Sequence, residues 1–186
     1  GLNFGDVAGA RDALQRALAL AEKTMAADVN DRRAMADVVQ IELRLGALET
    51  PPSEPAADLR HLEVAGRLIA RLGNAEPANT NFSLLQVLVD TRSALALSAL
   101  GRTAEAERLT LRARDSARQL QTLPGAAANA RQQWIQANVR LARLYADRSD
   151  ARAVSAADEA PITRAGVVGE QEPQRLPRQH LAVHSL

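Results

Sequence analysis

Cysteine is absent from all 186 residues, which excludes disulfides and thiolate metal sites. It also leaves the redox compartment open. Aromatic residues are almost missing, with two Phe, one Trp and one Tyr, so a core has to be assembled from Leu, Val and Ala rather than from large rings. Lys23 is the sole lysine, and every other basic residue is arginine. That bias reads as a coding preference rather than as selection of the guanidinium for phosphate. No apolar run approaches the ~20 residues that cross a bilayer. A net charge of +1 argues against a dedicated nucleic-acid or membrane-surface protein. The opening GLNFGDVAGAR lacks a charged region followed by an apolar one, so it is not a signal peptide. It reads as a cut inside a larger protein, entering just before a helix.

What the chain has in abundance is alanine, about a fifth of its residues, the composition of a helix former. Helical period runs through most of it. Val7, Ala10, Leu14, Ala17, Leu18, Ala21 and Met25 recur at three- and four-residue steps behind the capping candidate Asp6. Asn30 and Asp31 open a second segment through residue 49, with Met35, Val38, Val39, Leu45 and Leu48 inward. TPPSEPAAD, with three prolines, breaks the pattern as a loop. A third segment spans 57–72, with Leu62, Ala65, Ile69 and Leu72 in phase and Gly73 as its expected end. The fourth, 80–100, is apolar over most of its circumference, which predicts a central place between neighbours. Gly101 should end it and Thr103 should cap the fifth, whose inward stripe is Ala106, Leu109, Ala113, Ala117 and Leu120. After a Leu123-Pro124-Gly125 turn the sixth segment covers 127–146, and a short seventh is compatible with 151–160. From 161 to 186 no period is sustained, and the mixture of Gly, Pro, Gln and Arg predicts a disordered tail. The expected organisation is a helical-repeat domain over 1–148 followed by that tail.

A spacing recurs at the odd-numbered helices. Gly5, Ala10, Leu14 and Ala17 are echoed by Gly101, Ala106, Thr110 and Ala113, while Ala65, Ile69 and Leu72 form a middle copy without its glycine. Leu45-Gly46 and Ala94 supply small residues where paired helices would need close approach. This pattern resembles the tetratricopeptide superfamily over residues 5–148, with repeats longer than the usual ~34 residues. LQRALALAEKTMAADVND and EPANTN are similar to the repeat region that follows the kinase domain in many bacterial serine/threonine protein kinases. The chain departs from those sequences at Val29, where they usually carry proline. The resemblance implies an all-α solenoid of antiparallel helix pairs in a right-handed superhelix, about six long helices in all. It also implies that the chain starts on the second helix of a pair, leaving a flank that is sticky or covered by the rest of the parent protein.

Chemistry is hard to find in this pattern. His61 stands beside Arg60 and Glu63 and reads as a solvated helix residue. His180 and His184 are four apart, but Leu181 occupies the place of the glutamate that a zinc-protease helix needs. No phosphate loop and no kinase catalytic signature is present. Arg108, Arg112, Arg114 and Arg118 make two rows interleaved with Glu105, Glu107 and Asp115, the pattern of a solvated, salt-bridged face rather than a nucleic-acid stripe. The reading is therefore non-enzymatic, with no cofactor and no metal.

The second, fourth and sixth segments each carry a polar stripe: Arg33, Asp37, Gln40 and Arg44; Ser83, Gln86, Asp90 and Ser93; Asn129, Gln133, Gln136, Arg140 and Arg143. In solenoids such helices line the surface that takes extended peptides. Gln40, Arg44, Gln86, Asp90, Gln136 and Arg140 are the candidate peptide-groove residues, with Arg112 expected to face away. The function expected is a protein-interaction scaffold for a protein or peptide partner, cytoplasmic unless the parent is a membrane-anchored kinase with this part in the periplasm. Two rivals remain: a helical bundle with a small-ligand pocket near Trp134, and an accessory part of an enzyme whose catalytic domain lies elsewhere.

Overall fold

Asp6 Oδ1 accepts a 2.8 Å hydrogen bond from the Gly9 amide, and this cap starts the first of seven helices among the described residues. A computed structural model describes residues 6–48, 54–123, 125–147, 150 and 152–159. Its helices are α1 (Val7–Ala27), α2 (Arg32–Leu48), α3 (Pro55–Ala75), α4 (Thr80–Ala99), α5 (Thr103–Leu120), α6 (Ala127–Ala146) and α7 (Arg152–Glu159). The described residues contain no strand. The expected tail, with His180 and His184, lies outside them, as does Gly5 of the recurring spacing.

Local chemistry explains most helix ends. Asp31 Oδ1 accepts from the amides of Arg33 and Ala34, and Asn79 accepts from Asn81, each satisfying amides that the first turn leaves unpaired. At the end of α4, Gly101 takes φ +74°, and the Arg102 amide reaches back to Leu97 O at 2.9 Å. This is a glycine-closed C-terminus, as its position predicted. Three expectations need correction. Thr103 is the first residue of α5 rather than its cap, and the cap residue Arg102 makes no side-chain capping bond. Proline stands in the first turn of α3, where its missing amide hydrogen costs nothing, so this helix starts before residue 57. Gly73 does not end α3, which runs on until the Glu76 amide bonds Leu72 O.

Each helix packs on its chain neighbours, and α4 also meets α6, so the elements form a linear stack of adjacent pairs. The backbone of α1 approaches that of α2 alone among the described helices, and α1 buries no residue fully. Leu18, Ala21 and Met25 lean on the cluster of Met35, Val38, Val39, Leu62, Ile69 and Leu72, while Leu20 on the other side is 68% exposed. The inward stripe of α5 is buried throughout, with Ala106, Ala113 and Ala117 fully covered. Small residues there let α4 and α6 close on both sides of α5. The short α7 extends the packed body beyond residue 148, seating Ala156 against Leu141 and Tyr145, with Arg152 stacked on the Tyr145 ring at 4.3 Å.

A buried polar joint locks α2, α3 and α4 together. Arg92 of α4 donates to Leu43 O at 2.9 Å and to Asp58 Oδ1 at 2.8 Å. Beside it, His61 Nδ1 lies 2.6 Å from Glu42 Oε2. His61 is therefore not the solvated residue its neighbours suggested, because it reaches across to a carboxylate that α2 has buried. The small Gly46 sits against this joint: a Cβ there would fall 2.5 Å from Asp58 Oδ1 and 2.9 Å from Arg92 Nη2.

Candidate binding cleft

Helices α3 and α5 both pack on α4 while their backbones stay apart, which leaves α4 as the floor of a cleft between two walls. Its volume is about 800 Å³. Ser83, Gln86, Asp90 and Ser93 line the floor, Gly66, Arg67, Ala70 and Gly73 one wall, and Glu105, Arg108, Arg112 and Ser116 the other. The α3 wall is bare because Gly66 and Gly73, two turns apart, carry no side chain. A Cβ at either would meet nothing closer than 3.4 Å, so the bareness is not forced by packing.

The charges of the floor are engaged. Asp90 is buried and accepts from Gln86 Nε2 at 2.8 Å and from Arg112 through both oxygens, at 2.6 Å from Nε and 2.5 Å from Nη2. The bond to Asp90 pushes the Arg112 guanidinium further above its ordinary range. Arg112 was expected to face away from any site, but it turns over the floor, because α5 places it opposite the one carboxylate that α4 buries. At the end of the cleft Arg102 forks onto Glu105 with two bonds of 2.7 Å, and this holds the Glu105 carboxyl below the usual range.

The polar stripe of α4 is not a wet face, since Asp90 and Ser93 are buried, and the six groove candidates do not converge. Gln86 and Asp90 line the cleft. Arg140 lines a separate pocket of about 160 Å³ with Leu95, Ser98, Arg143 and Asp147. Gln86 and Leu95 are nine residues apart, so at ~3.6 residues per turn the two hollows lie on opposite sides of α4. Gln40, Arg44 and Gln136 are exposed on α2 and α6 and line neither. In its pocket Arg140 is half-buried, and that burial, followed by the charge of Arg143, lowers its pKa. Trp134 packs on the cluster of Val87, Ala113, Ala117, Leu120 and Ala130 and lines neither of these two hollows.

Sequence reasoning passed over Arg67, Gly66 and the true role of Arg112. The one legible signal was the spacing of Gly66 and Gly73, since glycines seven apart on a helix share a face. Among the described residues no group of three or more His, Asp or Glu is placed to hold a metal ion, and no helix is long and apolar enough to cross a membrane. Compared with family models, curated proteins and solved structures, the chain matches none.

Proposed function

We propose that this chain is a non-catalytic protein-interaction module, a tetratricopeptide-like part of a larger bacterial regulatory or signalling protein such as a serine/threonine kinase, working in the cytoplasm. The observation that carries the interaction reading is the open cleft over α4, walled by two helices whose backbones stay apart. Two of its carboxylates, Asp90 and Glu105, are tied to arginines, an arrangement suited to fixing shape rather than to moving protons. The bare α3 wall allows a partner backbone to come close. The tetratricopeptide and kinase context rests on the resemblance of residues 5–148 alone.

Peptides selected from a random display library on the immobilised protein test this reading. The cleft-filling variant Gly66→Leu/Gly73→Leu should bind them at least ~10-fold more weakly, a difference of about 1.4 kcal/mol, at unchanged far-ultraviolet circular dichroism. Peptides that bind the filled variant equally well, or a selection that enriches nothing, would sink it.

A further inference from the structure

We propose that the cleft between α3 and α5 receives an acidic protein segment, whose carboxylates are gripped by Arg67 on one wall and Arg108 on the other. The inference rests on the interaction reading above and names the chemistry of the partner.

The argument begins with what the cleft leaves unpaired. Both oxygens of Asp90 are occupied by Gln86 and Arg112, and Glu105 is held by Arg102. Arg67 and Arg108 are exposed and make no hydrogen bond or ion pair among the described residues; the charge of Arg108 adds only the last contribution, after the hydrogen bond and charge of Arg102, to lowering the Glu105 carboxyl. Arg71 of α3 donates to Val29 O at 2.8 Å and Arg114 of α5 bonds Asp115; Arg60 and Arg118, also exposed, do not line the cleft. The two guanidiniums, neither of them hydrogen-bonded, thus stand on facing walls, above a floor whose carboxylate is closed to a basic ligand. Each offers a planar fork that takes a carboxylate through paired hydrogen bonds. Gly66, beside Arg67 on the α3 wall, leaves room for the backbone that would carry those carboxylates.

A nucleic acid fits less well. Glu63 and Glu105 interrupt the basic lining of the cleft, so it offers no continuous cationic track for a phosphate chain. Its one aromatic ring, Phe82, packs partly into the core, so there is no platform for base stacking. The hydrogen bond to Glu105, and after it the charges of Glu105 and Glu63, raise the Arg102 pKa, so Arg102 is offset by carboxylates and the guanidiniums left without a hydrogen bond are Arg67 and Arg108.

Fluorescence anisotropy with labelled peptides of alternating Glu and Leu, their Gln-for-Glu and Lys-for-Glu counterparts, and an oligothymidylate tests the proposal. The Glu peptide should bind about tenfold or more tightly than the Gln peptide. Arg67→Ala/Arg108→Ala should remove that preference, while Arg44→Ala/Arg140→Ala should leave it. Charge reversal by Arg67→Glu/Arg108→Glu should switch preference to the Lys peptide, an outcome that simple loss of folding cannot mimic. Equal binding of the Glu and Gln peptides, loss of binding only in the Arg44/Arg140 variant, tighter binding of the oligothymidylate, or dimerisation of the protein through Arg67 and Arg108 would each overturn it. Peptides that bind without charge preference, yet are excluded by Gly66→Leu/Gly73→Leu, would leave the interaction reading standing and defeat this one. A Glu peptide that ignores the filled variant would defeat both.

Discussion

Arg112 of α5 and Asp90 of α4, 22 residues apart in the chain, meet through two hydrogen bonds in which the carboxylate side chain is 3% exposed and the arginine 53%. The pair joins a buried anion to a cation that still faces solvent. Removing the cation leaves Asp90 with Gln86 alone. Arg112→Ala should therefore destabilise the fold by about 1–3 kcal/mol, below the full cost of breaking a deeply buried pair because water screens the arginine side. Arg112→Lys should recover part of the loss, and Arg118→Ala, at an exposed site of the same helix, should stay within about 0.5 kcal/mol. Urea unfolding measures all three. An Arg112→Ala protein as stable as the parent would mean that the pair does not hold Asp90.

Three glycines in helices should respond to alanine with opposite signs. At Gly46 a Cβ collides with the Asp58–Arg92 pair, which is nearly buried and has little room to move, so Gly46→Ala should cost about 1–3 kcal/mol despite its gain in helix propensity. At Gly66 and Gly73 the added carbon meets only ordinary contacts. Each of those substitutions should stabilise by roughly 0.5–1 kcal/mol. Thermal unfolding of the three single variants decides this, and a loss of stability at Gly73 would count against the open wall.

Ala106 is fully covered at the α4–α5 contact, while Ala104 two residues earlier is exposed. Extra methylenes at the first position have nowhere to go. Ala106→Leu should destabilise by about 1–3 kcal/mol and Ala104→Leu hardly at all. The reverse order in a denaturation series would show that α5 is rotated from the phase described.

Tyr145 is the one tyrosine of the chain, so its ionisation can be followed directly by absorbance near 295 nm. Burial, and after it the hydrogen bond and charge of Glu107, raise its pKa above the ordinary value near 10, with Arg152 and Arg114 opposing. A raised folded-state value favours the protonated phenol. The associated stability is fully present below the unfolded-state pKa and is lost as pH climbs through and beyond about 10. Glu107→Gln should move the titration midpoint back down. A midpoint at or below that of a free tyrosine would contradict the buried placement against α5 and α7.

Most of the helices were legible before any coordinates, because period and capping are short-range properties. Asp6, Asp31 and Gly101 act within a turn of where they stand, and the alanine stripe of α5 repeats at helical spacing whatever packs on it. Gly73 misled because the same residue that terminates a helix is tolerated inside one when nothing around it demands a side chain. The polar stripes were legible as stripes but not as destinations.

Those destinations were decided by the tertiary structure. A run such as Ser83, Gln86, Asp90 and Ser93 reads the same whether it meets water or a neighbour's guanidinium. Helix α4 is apolar nearly all round, so no strong wet side betrayed its rotation. His61 with Glu42, Arg92 with Asp58 and Arg112 with Asp90 join residues 19, 34 and 22 positions apart, and each depends on how one helix is turned about its axis against another. Composition and period determined that this chain would be a stack of helices. The rotation of α3 and α5 about α4, set by where small side chains allow close contact and where they leave a gap, decided that Asp90 would be buried and Arg67 and Arg108 left facing an open cleft.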